Sequence, residues 1–145
     1  LVGGVLAGGL DIVAAFVVYG ARGASPVRIL QSIASGLLGV AAFQGGMGTA
    51  ALGLTLHFLI ATVAAWVYYL GSLRVPVLVE RPVAWGALYG VAVYIVMHLV
   101  VVPLSAVPKR PFAWGLAAII VLVHVVCVGV PIALAVQRFG APARQ

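Results

Sequence analysis

The sequence predicts an all-α fold: a transmembrane bundle of four helices plus one short helix, interfacial or re-entrant. Three observations carry that expectation. Of 145 residues, 65% are hydrophobic and 7% are charged, whereas a soluble domain carries about 25% charged residues. Eight basic and two acidic side chains cannot clothe a water-facing surface, so lipid must cover most of the molecule. Four apolar runs are each close to the ~20 residues that a helix needs to cross hydrocarbon. A fifth stretch is shorter and amphipathic. The length fits a single membrane domain, residues 1–145.

The first run covers residues 1–19. No basic segment precedes it and no small-residue cleavage site stands out, so it reads as a span and not as a signal peptide. The chain opens at Leu1 without a methionine, and further residues are expected ahead of it. Arg22 and the turn Gly23-Ala24-Ser25-Pro26 end the run. Ser25 followed by Pro26 also reads as a helix start.

Residues 28–44 (RILQSIASGLLGVAAFQ) carry Ile29, Leu30, Ile33, Leu37 and Val40 at helical spacing. Gln31, Ser32, Ser35, Gly36 and Gly39 soften the opposite face. The stretch is short for a crossing and amphipathic, which predicts a helix lying in the interface or re-entering from it. Gly45-Gly46-Met47-Gly48 then makes a corner.

The second span covers 49–70, with Trp66, Tyr68 and Tyr69 at its far end, where ring side chains suit the headgroup boundary. A polar loop holds Arg74, Pro76, Glu80, Arg81 and Pro82. The third span covers 83–102 and opens on Trp85. Pro103, Pro108 and Pro111 bracket a loop with Lys109 and Arg110. The last span covers 112–136, with Trp114 at its entry and an expected kink at Pro131. No internal repeat is visible, and the inverted halves of a transporter are not seen.

The formal net charge is +6. Its basic residues fall in connecting or terminal stretches, at Arg22, Arg28, Arg74, Arg81, Lys109, Arg110, Arg138 and Arg144. That placement fits lipid headgroups and excludes nucleic acid as the expected partner. With four crossings the basic residues divide evenly between the two sides. A fifth crossing through 28–44 would make the division six against two. Charge thus argues for five spans, length and amphipathicity for four, and four is the expectation, with both termini cytoplasmic. Cys127 is the single cysteine and reads as a small packing residue, forming neither a disulfide nor a zinc site.

Each span holds one ionisable side chain: Asp11, His57, His98 and His124. Such groups cost roughly 2.5–3.5 kcal/mol at the bilayer centre and face a partner or a cavity. At a rise of 1.5 Å per residue, Asp11 and His124 lie near mid-helix, and His57 and His98 lie within roughly 8 Å of the midplane. The four could therefore meet in one bundle interior as a buried polar cluster. Three roles stay open for them: locking helices together, relaying protons or ions, and ligating haem or a metal. For haem, His57 would pair with His98 or with His124.

Gly4/Gly8 and Gly86/Gly90 form GxxxG pairs, and Gly53/His57 and Ala61/Ala65 repeat the spacing. Small residues let helix backbones touch in lipid, where no hydrophobic force drives association. Packing inside the bundle is the plainer use; docking of a second protein or a pigment is the other. No HExxH, CxxC, phosphate loop or nucleophile elbow is present, and Ser105 has no neighbouring acid. Catalytic residues and a metal site are not expected.

Four stretches taken together, LDIVAAFVVYGARGASPVRILQSIASGLLGVAAFQGG, LTLHFLIA, MHLVVVPLSAVP and HVVCVGVPIALA, resemble a group of small bacterial inner-membrane proteins and, more distantly, the YagU-like family. The resemblance spans most of the chain. It implies four crossings, a polar stretch between the first two, and membrane-embedded histidines, the positions that His57, His98 and His124 occupy. YagU-like proteins carry a longer segment where this chain has only residues 20–48. No catalytic residue, cofactor or substrate is implied.

The expected function is that of a non-catalytic, multi-pass protein of the bacterial inner membrane. In this reading it is an accessory subunit packed against a larger respiratory or photosynthetic complex, or against further copies of itself. Proton or ion transport through the Asp11/His set is the first alternative, and haem binding the second.

Overall fold

A computed structural model describes residues 1–108 and 113–140. Lys109, Arg110, Pro111, Phe112 and Arg144 of the sequence reading lie outside the described residues. Every element is helical: α1 (Val2–Gly20), α2 (Pro26–Leu38), α3 (Gly46–Ser72), the single turn α4 (Val77–Glu80), α5 (Pro82–Leu104) and α6 (Trp114–Phe139). There is no strand among the described residues.

By length and composition five segments could cross a membrane: α1, α3, α5, α6 and the stretch Pro26–Gln44. Packing assigns the last of these a different course. A Cβ on Gly4 would lie 2.7 Å from Thr62 Cα, and one on Gly8 would lie 2.8 Å from the Phe58 ring. Position 4 therefore meets 62 and position 8 meets 58, so α1 and α3 run antiparallel. The end of α1 and the start of α3 then share one end of the bundle, and residues 26–44 leave that end and return to it.

The local backbone agrees. Ser25 caps α2 by accepting from the Arg28 N–H at 3.3 Å, with Pro26 at the first helical position. The α-helix stops after 13 residues, about 20 Å of rise against ~30 Å of hydrocarbon. Gly39 breaks it at φ 58° and ψ −144°, and Gly39–Gln44 continues as a tighter 3₁₀ turn. At φ +58° only glycine avoids strain. Both parts hold the first two turns of α3. The Leu30 carbonyl presses on Gly53, Gln31 Nε2 donates to the Gly46 carbonyl at 3.0 Å, and the Thr49 hydroxyl donates to the Ala42 carbonyl at 2.6 Å. The Ala106 N–H donates to the Gly36 carbonyl at 2.9 Å, tying α2 to the chain leaving α5. Residues 26–44 thus pack at one end of four antiparallel rods, against the start of α3 and the chain leaving α5. Thr49→Val is expected to cost about 1 kcal/mol and to raise amide exchange in 39–46 by up to about fivefold, measured by hydrogen–deuterium exchange in detergent.

α6 is the hub. Of its apolar stretch 39% is buried, against 11% for α5. Ala7, Ala65, Tyr68, Val128, Ile132, Ala133 and Val136 form the core around it. α5 meets α6 along a stripe of Gly86, Gly90 and Tyr94, its only buried residues. Val83, Leu88, Ile95, Val96 and Leu99 face outward.

Two stretches widen into π-helix, Met97–Val101 and His124–Gly129, each shortly before a proline, Pro103 and Pro131. Proline has no N–H and its ring clashes with the carbonyl four residues back. The chain answers by bonding one residue further back: Val102 N–H donates to the Met97 carbonyl and Val130 N–H to the Val125 carbonyl. The kink expected at Pro131 is thus a π-bulge just ahead of it. Tyr68 also departs from expectation. It is 3% exposed, its hydroxyl donates to the Leu78 carbonyl at 3.0 Å, and its ring meets Tyr89 edge-on at 5.0 Å. It packs inward, whereas Trp66 stays exposed.

Candidate functional site

The four ionisable side chains fall at two seams. At the α1–α3 seam, His57 Nε2 lies 2.8 Å from the Gly8 carbonyl. A carbonyl only accepts, so this nitrogen carries the hydrogen. Asp11 Oδ2 lies 4.0 Å from the same atom, with 13% of the His57 side chain and 20% of the Asp11 side chain exposed. That distance is within ion-pair range for a protonated imidazole and too long for a hydrogen bond. Gly8 permits the arrangement, because a side chain there would collide with Phe58 and Ala61. Phe58 in turn meets the His57 ring edge-on at 5.6 Å.

At the α5–α6 seam, Tyr94 stacks on His98 with ring centroids 4.2 Å apart and planes at 27°. His124 meets Tyr94 edge-on at 5.8 Å. The His124 Nδ1–H donates to the Ile120 carbonyl, one turn back, at 2.9 Å. The Tyr94 hydroxyl and His98 Nδ1 are buried without a hydrogen-bond partner.

The single cluster expected from depth is therefore divided into Asp11 with His57 and His98 with His124. Depth along a helix follows from residue number, but facing depends on rotation about each axis, which packing sets. His57 and the other two histidines belong to different seams, so the geometry does not favour either axial pair considered for haem. Among the described residues no three His, Cys, Asp or Glu side chains gather closely enough to hold a metal ion.

The glycines expected at helix contacts are there. A Cβ on Gly86 would sit 2.8 Å from the Gly129 carbonyl, and one on Gly90 would sit 2.5 Å from the His124 carbonyl. Gly4/Gly8 and Gly86/Gly90 are thus consumed by contacts within the chain. Sequence reasoning missed Gly129, where a Cβ would strike the Gly86 carbonyl and the Gly90 backbone. It also missed Tyr94 and Tyr89, whose hydroxyl donates to the Ala64 carbonyl at 2.7 Å. The spacing of Tyr94 and His98, one helical turn apart in an apolar run, was the available signal.

Comparison with family models, with curated proteins and with solved structures returned no match. The class that the fold defines is a multi-pass helical membrane protein, and its chemistry rests on this chain's own residues.

Proposed function

We propose that this chain is a non-catalytic accessory subunit of the bacterial inner membrane, docked on a larger membrane assembly through the outward face of α5. One observation carries the reading. Gly86, Gly90 and Tyr94 are the only fully buried residues of α5, and Val83, Leu88, Ile95 and Leu99 are exposed along its length. Tyr89 turns inward and spends its hydroxyl on the Ala64 carbonyl. Such a surface meets partners through apolar side-chain packing within the lipid. The resemblance to small inner-membrane proteins supports the location.

The test places a photo-crosslinking amino acid at Leu88 and, as a control, at Val17 on α1, followed by mild-detergent extraction from the native membrane. A heavy adduct from Leu88 and none from Val17 is expected. Recovery as an uncrosslinked monomer overturns the proposal, and so does an adduct of twice the chain's own mass, which would make it a homo-oligomer.

Proton handling is a second reading, favoured by the 4.0 Å contact between Asp11 and His57. Intramembrane Asp and His side chains serve as relays in pumps and transporters. In proteoliposomes this reading expects a proton flux that falls at least tenfold in Asp11→Asn and His57→Ala. Flux that is absent in the wild type, or unchanged by both substitutions, removes it.

A further inference from the structure

Two side-chain atoms stand apart among the described residues. The Tyr94 hydroxyl and His98 Nδ1 are both buried and both lack a hydrogen-bond partner. Tyr94 is 8% exposed, so lipid headgroups and bulk water do not reach it. Buried polar atoms in hydrocarbon find partners, because nothing in the surroundings substitutes for them.

Tyr94 and His98 stack face to face, which fixes their rings side by side but pairs neither polar edge. His124, the nearest ring on α6, spends Nδ1 on Ile120. Close by, Gly90 presses on the His124 carbonyl. That backbone contact fixes the separation of α5 and α6. Both helices are π-widened here, over 97–101 and 124–129, and π-bulges are frequent at functional sites.

We propose that the Tyr94 hydroxyl and His98 Nδ1 together bind one buried water molecule at the α5–α6 seam. The ligand must donate and accept within a small space, which water does. The Tyr94 O–H donates to the water oxygen. The water donates to a bare Nδ1 or accepts from an Nδ1–H, according to the tautomer. This site stands independently of the docking proposed for the outer face of α5.

Tyr94→Phe keeps the ring and removes one water ligand. With the water present, its loss strands His98 Nδ1 and lowers the apparent Tm of the full chain in mild detergent by about 3–5 °C. An unsatisfied hydroxyl with no ligand behaves oppositely: deleting it relieves its burial, and a Tm that is unchanged or higher overturns the proposal. A second measurement does not depend on stability. In liposomes, ¹⁵N-histidine solid-state NMR is expected to show strong magnetisation transfer from water to His98 Nδ1, reduced at least threefold in Tyr94→Phe. Absent transfer in the wild type, or equal transfer in both proteins, also overturns it.

Discussion

Gly129→Val unfolds the seam between α5 and α6. A side chain at position 129 has no space, because even its Cβ would overlap the Gly86 carbonyl and the Gly90 backbone. These are main-chain atoms, and they yield only if the helices move apart. Separation would break the Gly86 and Gly90 contacts with residues 124–133 together with the ring contact between Tyr94 and His124. Overpacking of a tight core costs typically 1–3 kcal/mol and occasionally more, and the full backbone overlap here places Gly129→Val at about 4 kcal/mol or above. Gly9→Val is the matched control, since nothing lies within 4 Å of a Cβ at Gly9. Reversible unfolding in mixed micelles checks both. Gly129→Val should fail to reach the folded baseline, while Gly9→Val stays within about 0.5 kcal/mol of the parent. Equal stability of the two variants would show that α5 does not pack on α6 as described.

The second large effect falls on the Asp11–His57 pair. Removing His57 takes away the bond to the Gly8 carbonyl and leaves the Asp11 carboxyl, 20% exposed, without its counter-group. Breaking a buried pair by deleting one partner costs about 3–5 kcal/mol, much of it the stranded charge. His57→Ala is therefore expected to cost about 3 kcal/mol, discounted for the partial exposure of Asp11. Asp11→Asn costs less, because His57 keeps its bond to Gly8. The double variant Asp11→Asn/His57→Ala is expected to recover about 1 kcal/mol or more relative to His57→Ala alone. A double-mutant cycle in the same micelles measures this. Strict additivity would mean that the two side chains do not interact, and would also weaken the proton-handling reading.

Much of the fold was legible because its solvent wrote it into composition. With so few charges, the ends of the apolar runs had to be loops, and the observed rods Val2–Gly20, Gly46–Ser72, Pro82–Leu104 and Trp114–Phe139 follow the predicted runs within a few residues. Ser25 and Pro26 announced the start of α2 through local capping chemistry, which neighbours do not alter. The return of residues 26–44 to the end they leave was harder to read. Charge counting favoured a fifth crossing and amphipathicity opposed it, and the antiparallel contact of Gly4 and Gly8 with α3 resolves the matter geometrically. The polar set was legible as residues but not as an arrangement. Asp11 with His57, and Tyr94 with His98 and His124, are pairings chosen by helix rotation.

From its sequence alone this chain was bound to be helical and lipid-covered, because backbone hydrogen bonds in hydrocarbon must close within each segment and too few charges exist for any other surface. Which glycine meets which carbonyl, which histidine faces which tyrosine, and where α2 lies were decided only by the tertiary structure. Apolar side chains of similar size interchange freely along a membrane helix and encode little about facing. The rotation of each rod is fixed by close backbone approach at Gly4, Gly86, Gly90 and Gly129 and by single hydrogen bonds such as Tyr89 to Ala64, and these exist only once the rods are assembled.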